Sequence, residues 1–180
     1  LASHRGSLIG DIPGVAQPSQ KWFDSLLVDR LRRFDPSRPV WVESESRKIG
    51  AIQLPAELLQ AMHSGRIFAI SAPMSERVKL WREDYGHFER DLPAMMERLR
   101  HLRPLVGGEE LALWERLAAE GRAAELFQRL MEAHYDPAYA RSIGKNYPAI
   151  EESSRLELER LDRQALLDVA EQLDRVPVTA

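Results

Sequence analysis

Apolar positions from Ser19 to about Phe34 recur three, four and seven residues apart, at Trp22, Phe23, Leu26, Leu27, Leu31 and Phe34. That spacing predicts an amphipathic helix, with Ser19 as its cap. Lys21, Arg30, Arg32 and Arg33 take the polar side. After the turn Asp35–Pro39, the run Val40-Trp41-Val42 predicts a short strand. Lys48 to Leu54 reads as a loop or short extended piece. Pro55 then opens a helix to about His63, with Leu58, Leu59 and Met62 inward. Ile67, Phe68, Ala69 and Ile70 are continuously apolar and predict a second strand, covered on both faces. Two such strands joined across a helix would form a right-handed parallel βαβ unit.

From Pro73 the pattern turns helical. Segments are expected at Glu76–Tyr85, Phe88–Leu105, Glu109–Glu120 and Ala123–His134, broken at Gly107-Gly108 and Gly121. Their Met and Trp residues read as packing. Asp136-Pro137 predicts a turn or the start of a helical turn. Near the C-terminus, Arg155–Arg160 alternates leucine with charge. A half-buried strand there, followed by a helix from Asp162 to about Leu173, is favoured over one long helix. The last few residues should fray.

The 180 residues, 44% hydrophobic, suffice for one sizeable core. Net charge is −3 and the pI about 6.0, so any nucleic-acid surface must be local. With no cysteine, disulfides, thiolate metal sites and a cysteine nucleophile are excluded. No apolar run approaches the roughly 18 residues of a membrane span, and the cytoplasm is the default location. The chain opens on the polar loop LASHRGSLIG without an initiator Met, as a piece of a longer chain would.

Candidate chemistry concentrates in Pro39–Gly50, PVWVESESRKIG. A carboxylate at the end of a buried strand, here Glu43, resembles the acid that holds Mg²⁺ or its water in P-loop enzymes. Its bland alternative is a solvated strand end or a partner for Arg47 or Lys48. Glu45, Ser46 and Arg47 could orient a phosphate. Upstream, His4, Arg5, Gly6 and Ser7 could form an anion-facing loop, or simply a connection. Tyr135–Pro148 holds three of the four tyrosines. Tyr135, Tyr139, Arg141 and Lys145 could face a nucleic acid by stacking and charge, or cover an ordinary surface helix. The five histidines lack metal-ligand spacing, and no GxxxxGK[ST] phosphate loop or GxSxG elbow is present.

HRGS, QPSQKWF, RPVWVESESRKIG, the Leu54-Pro55 pair and HYDPAY occur in the order that resembles bacterial tRNA 2-selenouridine synthases, over nearly the whole chain. That resemblance implies an α/β fold, an incomplete P-loop NTPase-like parallel sheet with a large helical portion. Residues 1–180 would be a partial C-terminal P-loop-like domain, with a helical subregion at about 74–147. The Walker A segment and the rhodanese-like domain with its cysteine would be absent. The family replaces sulfur by selenium in the wobble 2-thiouridine of tRNA, through a geranylated base. Its substrates are tRNA, selenophosphate and geranyl diphosphate.

The resemblance places Glu43 and Arg47 as catalytic candidates, with Mg²⁺ possible at Glu43. It places His4, Arg5, Ser7, Lys21, Ser46 and Lys48 as phosphate-binding candidates. Gly6, Gln17, Ser19, Gln20, Glu45, Gly50, Tyr135, Asp136 and Tyr139 also fall in family motifs. Without the phosphate loop, this chain alone should have little synthase activity. The alternatives are a nucleotide or small-molecule kinase-like P-loop fragment, and a non-catalytic tRNA- or protein-binding module.

Overall fold

The computed structural model describes residues 1–44 and 46–176, with the side chains of 148 and 149 left aside. It resolves into two compact units, residues 1–65 with 162–180, and residues 66–161.

The first unit is built on one hairpin and one helix. Helix α1, Gln20–Arg32, starts where the sequence predicts, because the Ser19 hydroxyl accepts from the Trp22 N–H at 3.3 Å. Strands β1, Lys48–Ile49, and β2, Ile52–Gln53, pair antiparallel with Ile49 opposite Ile52. Gly50-Ala51 turns between them, with Gly50 at φ +60 as a two-residue hairpin of the II′ kind demands. This hairpin is more regular than the loop the sequence suggested. Helix α2, Ala56–His63, follows. Ala2, Phe23, Ile49, Ile52 and Leu54 form the core, with Leu27, Leu58, Leu59 and Met62 packed against it. Each fully buried aliphatic or aromatic side chain in such a cluster contributes about 1.5–3 kcal/mol.

The predicted strand at Val40–Val42 does not form. These residues are in no strand and are 47%, 41% and 55% exposed. The cause is the lack of a ladder partner among the described residues. Intrinsic β-propensity, worth about 1 kcal/mol, does not hold an unpaired segment extended. The expected βαβ unit with the second strand is therefore absent. Asp35–Ser37 does form the predicted turn, with the Ser37 N–H donating to Asp35 Oδ1 at 2.9 Å. The Ser37 hydroxyl, which donates to the same oxygen at 2.7 Å, and then the N–H hold the Asp35 carboxyl below its ordinary range. Arg38 then pairs with Asp174 at 3.0 Å on the C-terminal helix Arg163–Asp174, which Asp162 caps by accepting from Ala165 at 2.9 Å.

In the second unit, β3, Phe68–Ser71, pairs in parallel with β4, Ser154–Glu157, Ile70 lying opposite Leu156. This small parallel sheet and the helices around it make the chain α/β. The partner of β3 is thus the late strand, not Val40–Val42. Its two faces are not both covered either, since Ile70 is 52% exposed.

Between the strands run α3, Met74–Asp84; α4, Gly86–Glu89; α5, Leu92–Leu99; α6, Arg103–Val106; α7, Gly108–Ala119; α8, Ala123–Leu130; and α9, Asp136–Asn146. Phe88–Leu105 is not one helix. Asp91 caps a new start by accepting from Ala94 at 3.1 Å, and Pro93 and Pro104 each sit in a first turn, where a missing N–H costs nothing. Trp114, Phe127, Met95, Leu99, Leu126, Leu130 and Met131 are fully buried, which bears out their reading as packing.

Helices α8 and α9 run on through a π-type turn at Met131–Tyr135. Pro137 explains that turn. Its ring would clash with the carbonyl four residues back in a regular helix, and the wider turn relieves the clash. Of the turn or helical start expected at Asp136-Pro137, the helical start forms, with α9 beginning at Asp136.

Candidate functional site

The first unit brings the His4–Ser7 loop to the Gly50 end of the hairpin. The loop closes on itself through the Arg5 N–H to the Gly10 carbonyl at 2.8 Å and the Gly10 N–H to the Ser7 carbonyl at 3.0 Å. His4 is its strut. Its Nδ1 accepts from the Gly6 N–H at 2.9 Å, which assigns the ring hydrogen to Nε2, and Nε2 faces Asp11 at 3.2 Å. Both nitrogens are occupied, so His4 shapes the loop. Gly6 adopts φ +73 and Ser3 φ +51, so the backbone here bends through the left-handed region twice.

Two glutamines tie this loop and α1 to the hairpin. Gln17 Nε2 donates to the carbonyls of Ala2 and Ile49, both at 3.0 Å, while its Oε1 accepts from the Ala51 N–H at 2.8 Å. Gln20 engages Gln53 twice, donating to its carbonyl and accepting from its N–H, each at 2.9 Å. A primary amide offers one acceptor and two donors, the inventory a strand edge needs. The sequence flagged both glutamines only as motif members. Their spacing ahead of an amphipathic helix carries no signal that they act as backbone clamps.

Arg47, Lys48 and Ser46 are exposed on the approach to Gly50. The Ser46 hydroxyl donates to the Lys48 carbonyl at 2.7 Å, and the Leu54 N–H donates to the Arg47 carbonyl at 2.8 Å, extending the hairpin. Lys21 is exposed on α1, next to Gln20. Among the described residues, Arg47, Lys48 and Lys21 enter no ion pair. Arg5 and Ser7 are half-buried in the loop. Glu43 is exposed on the unpaired segment, and Glu45 lies outside the described residues. No group of three or more His, Asp or Glu that could hold a metal occurs among the described residues. A Mg²⁺ at Glu43 would lean on phosphate oxygens from a ligand.

In the second unit, the HYDPAY segment divides between core and surface. Tyr135 is 8% exposed and packs edge-on against Trp81 at 5.0 Å, with His134 on its other side at 4.9 Å. Its ring faces the core and is not open to a base. Asp136 takes Arg77 in a two-pronged ion pair, one contact being 2.8 Å, and this raises the Arg77 pKa further. Tyr139 is 45% exposed, and Arg141 and Lys145 are exposed too. At about 100° per residue, Arg141 and Lys145 share a stripe with His134, while Tyr139 lies on the far side of α9. The four predicted tRNA contacts therefore do not form one patch. Burial, and then the charge of Arg141, lower the His134 pKa below its ordinary value.

No helix among the described residues is long and apolar enough to cross a membrane. The chain matches the family profile described as tRNA 2-selenouridine synthase AAA domain over residues 1–103. It is similar to the tRNA 2-selenouridine synthase of Aeromonas salmonicida, 41% identical over 88 residues, covering 48% of this chain and 24% of that protein. It is also similar to the synthases of Cupriavidus necator, 29% identical over 167 residues, and Alcanivorax borkumensis, 30% identical over 167 residues. Those two alignments cover 77% of this chain and 45% and 46% of the relatives, so the chain spans less than half the length of the curated proteins it matches. No solved structure matches. With more than half of its residues inside that profile, the chain belongs to the tRNA 2-selenouridine synthase family.

Proposed function

We propose that this chain forms part of a tRNA 2-selenouridine synthase, in which the His4–Ser7 loop and the Arg47–Lys48 arm bind the diphosphate and phosphate groups of the substrates. The parent fold in this reading is P-loop-like, and the location is the cytoplasm, where tRNA is found. The enzyme replaces sulfur by selenium in wobble 2-thiouridine of tRNA. It first transfers the geranyl group of geranyl diphosphate to that sulfur, then uses selenophosphate as the selenium donor.

One observation supports this reading above the rest. Gln17 holds the loop and the hairpin turn together, so Arg5, Lys48 and Arg47 belong to one small structure, with Lys48 and Arg47 within three residues of Gly50. Arg47 and Lys48, which enter no ion pair among the described residues, suit a diphosphate leaving group, whose charge grows as the allylic C–O bond breaks. Arginine adds two parallel N–H donors of the right fork geometry. Glu43 would orient water or a phosphate-bound Mg²⁺. Lys21 and Ser46 extend the anion-facing surface. Tyr139 and the Arg141–Lys145 stripe would serve tRNA contact from the second unit, separately from one another.

Titration of the chain with inorganic pyrophosphate tests the site. Binding should be detectable, and Arg47→Ala should weaken it about tenfold, the loss of roughly 1.4 kcal/mol. Absence of binding by the unmodified chain refutes the anion site. In cells relying on the parent protein, Glu43→Gln should abolish 2-selenouridine in tRNA, read by nucleoside mass spectrometry, with tRNA binding kept. Normal 2-selenouridine with that substitution would instead favour a non-catalytic binding module.

A further inference from the structure

Among the described residues, some cations of this chain are neutralised by carboxylates and Arg47, Lys48 and Lys21 are not. In the second unit, a cavity of about 180 Å³ is lined by Arg82, Arg122, Glu89 and Glu125. Its arginines are spent, Arg82 on Glu89 and Arg122 on Glu120 and Glu125. In the first unit Arg33 and Arg38 are likewise paired, with Asp29 and Asp174, while Arg47, Lys48 and Lys21 enter no ion pair among the described residues. Electrostatic stabilisation is effective only when the charges are positioned before the ligand arrives.

Gln17 makes three hydrogen bonds to backbone groups at Ala2, Ile49 and Ala51, at 3.0, 3.0 and 2.8 Å. Ala2 lies two residues before His4, and Ile49 and Ala51 bracket Gly50. A Cβ at Gly50 would strike the Gln17 carboxamide and lie 2.9 Å from His4 Cδ2, so the amide and the imidazole both press on the bare α-carbon. No backbone hydrogen bond is described between the loop and the hairpin; the amide of Gln17 serves as their shared rung. We propose that Gln17 is a positioning residue, which fixes the His4–Ser7 loop against the Arg47–Lys48 arm and thereby sets the affinity for a diphosphate group. This inference rests on the anion site proposed above.

The test compares the 180-residue chain with its Gln17→Met and Gln17→Glu variants, with inorganic pyrophosphate as the probe. Gln17→Met keeps the length of the side chain and removes all three hydrogen bonds. Its pyrophosphate affinity should fall at least tenfold. The Gly6 amide, anchored to His4 in the parent, should lose its distinct NMR shift, while Phe23 and Ile52 keep their core shifts. Gln17→Glu retains the acceptor for Ala51 but turns a carboxylate on the Ala2 and Ile49 carbonyls. Its affinity relative to the parent should be low at neutral pH and recover as the carboxyl protonates and regains a donor. A purely structural role would not produce that pH-dependent recovery. Parent-like affinity in Gln17→Met with the Gly6 shift lost overturns the inference alone. If Gln17→Met loses its core shifts, a pH-independent affinity ratio for Gln17→Glu overturns it. No pyrophosphate binding by the parent overturns the anion site and the inference together.

Discussion

Replacing Gly50 by alanine should loosen the hairpin far more than the same change at Gly14. Both glycines sit in the left-handed region, at φ +60 and +72. A Cβ there costs about 1 kcal/mol. At Gly14 nothing lies within 4 Å of the added atom, so that cost stands alone. At Gly50 the added carbon meets the Gln17 carboxamide and His4 Cδ2. The Gln17 side chain is flexible and will swing out, so steric strain is relieved and its three hydrogen bonds are what is lost. Two of these bonds are partly buried and one is exposed. At about 1 kcal/mol for each partly buried bond, and little for the exposed one, the further loss is about 2 kcal/mol. Gly50→Ala should therefore lower the local opening free energy by about 3 kcal/mol and Gly14→Ala by about 1. The assay is native-state hydrogen exchange of the Ala51 amide. Its protection should fall roughly a hundredfold in the first variant and change little in the second. Equal effects from the two substitutions would refute the role assigned to Gln17, because backbone conformation would then account for everything.

Two predictions concern the second unit. Asp136→Ala strands the partly buried Arg77 guanidinium, and should destabilise the unit by about 1–2 kcal/mol after allowing for the solvent exposure of the pair. Urea unfolding followed by Trp81 fluorescence would show it, and Asp136→Glu should recover only part of the loss because the fork geometry is specific. His134 has a depressed folded-state pKa, so between that value and about 6.5 the unfolded chain binds more protons than the folded one. Stability should be full above pH 6.5 and decline as pH falls through that window, by at most about 1.4 kcal/mol per pH unit. His134→Gln should flatten the slope measured by urea titrations across pH 5–7.

Local signals carried most of the legible structure. Ser19 and Asp162 cap their helices as their residue types and the following apolar faces indicate. Of the alternating Arg155–Arg160 segment, the first part lies in a strand from Ser154 to Glu157, and the helix that follows starts at Arg163. What failed depended on partners distant in sequence. Val40–Val42 has the composition of a strand and lacks a ladder. Phe68–Ser71 has the composition of a doubly covered strand, yet pairs with a segment more than 80 residues away and keeps Ile70 exposed. The HYDPAY motif could be found but not partitioned, since the burial of Tyr135 depends on Trp81 from another helix. The clamps at Gln17 and Gln20 were illegible for a simpler reason. An amide that binds backbone atoms leaves no mark in the residues it binds.

The division of labour within the motifs constrains the chemistry. The neutral polar side chains with the richest hydrogen-bonding capacity, Gln17, Gln20 and His4, are consumed by the fold. So is Asp136 in the second unit. Arg47, Lys48 and Lys21 are what the first unit turns outward. Such a surface is positively charged. It can hold negative charge in a fixed place. The geranyl transfer proposed above would make that demand, because its nucleophile would be the sulfur of the tRNA base and its leaving group a diphosphate. Under that proposal, the handling of selenium and the placing of the thiocarbonyl sulfur on line with the allylic carbon would fall to residues outside this surface.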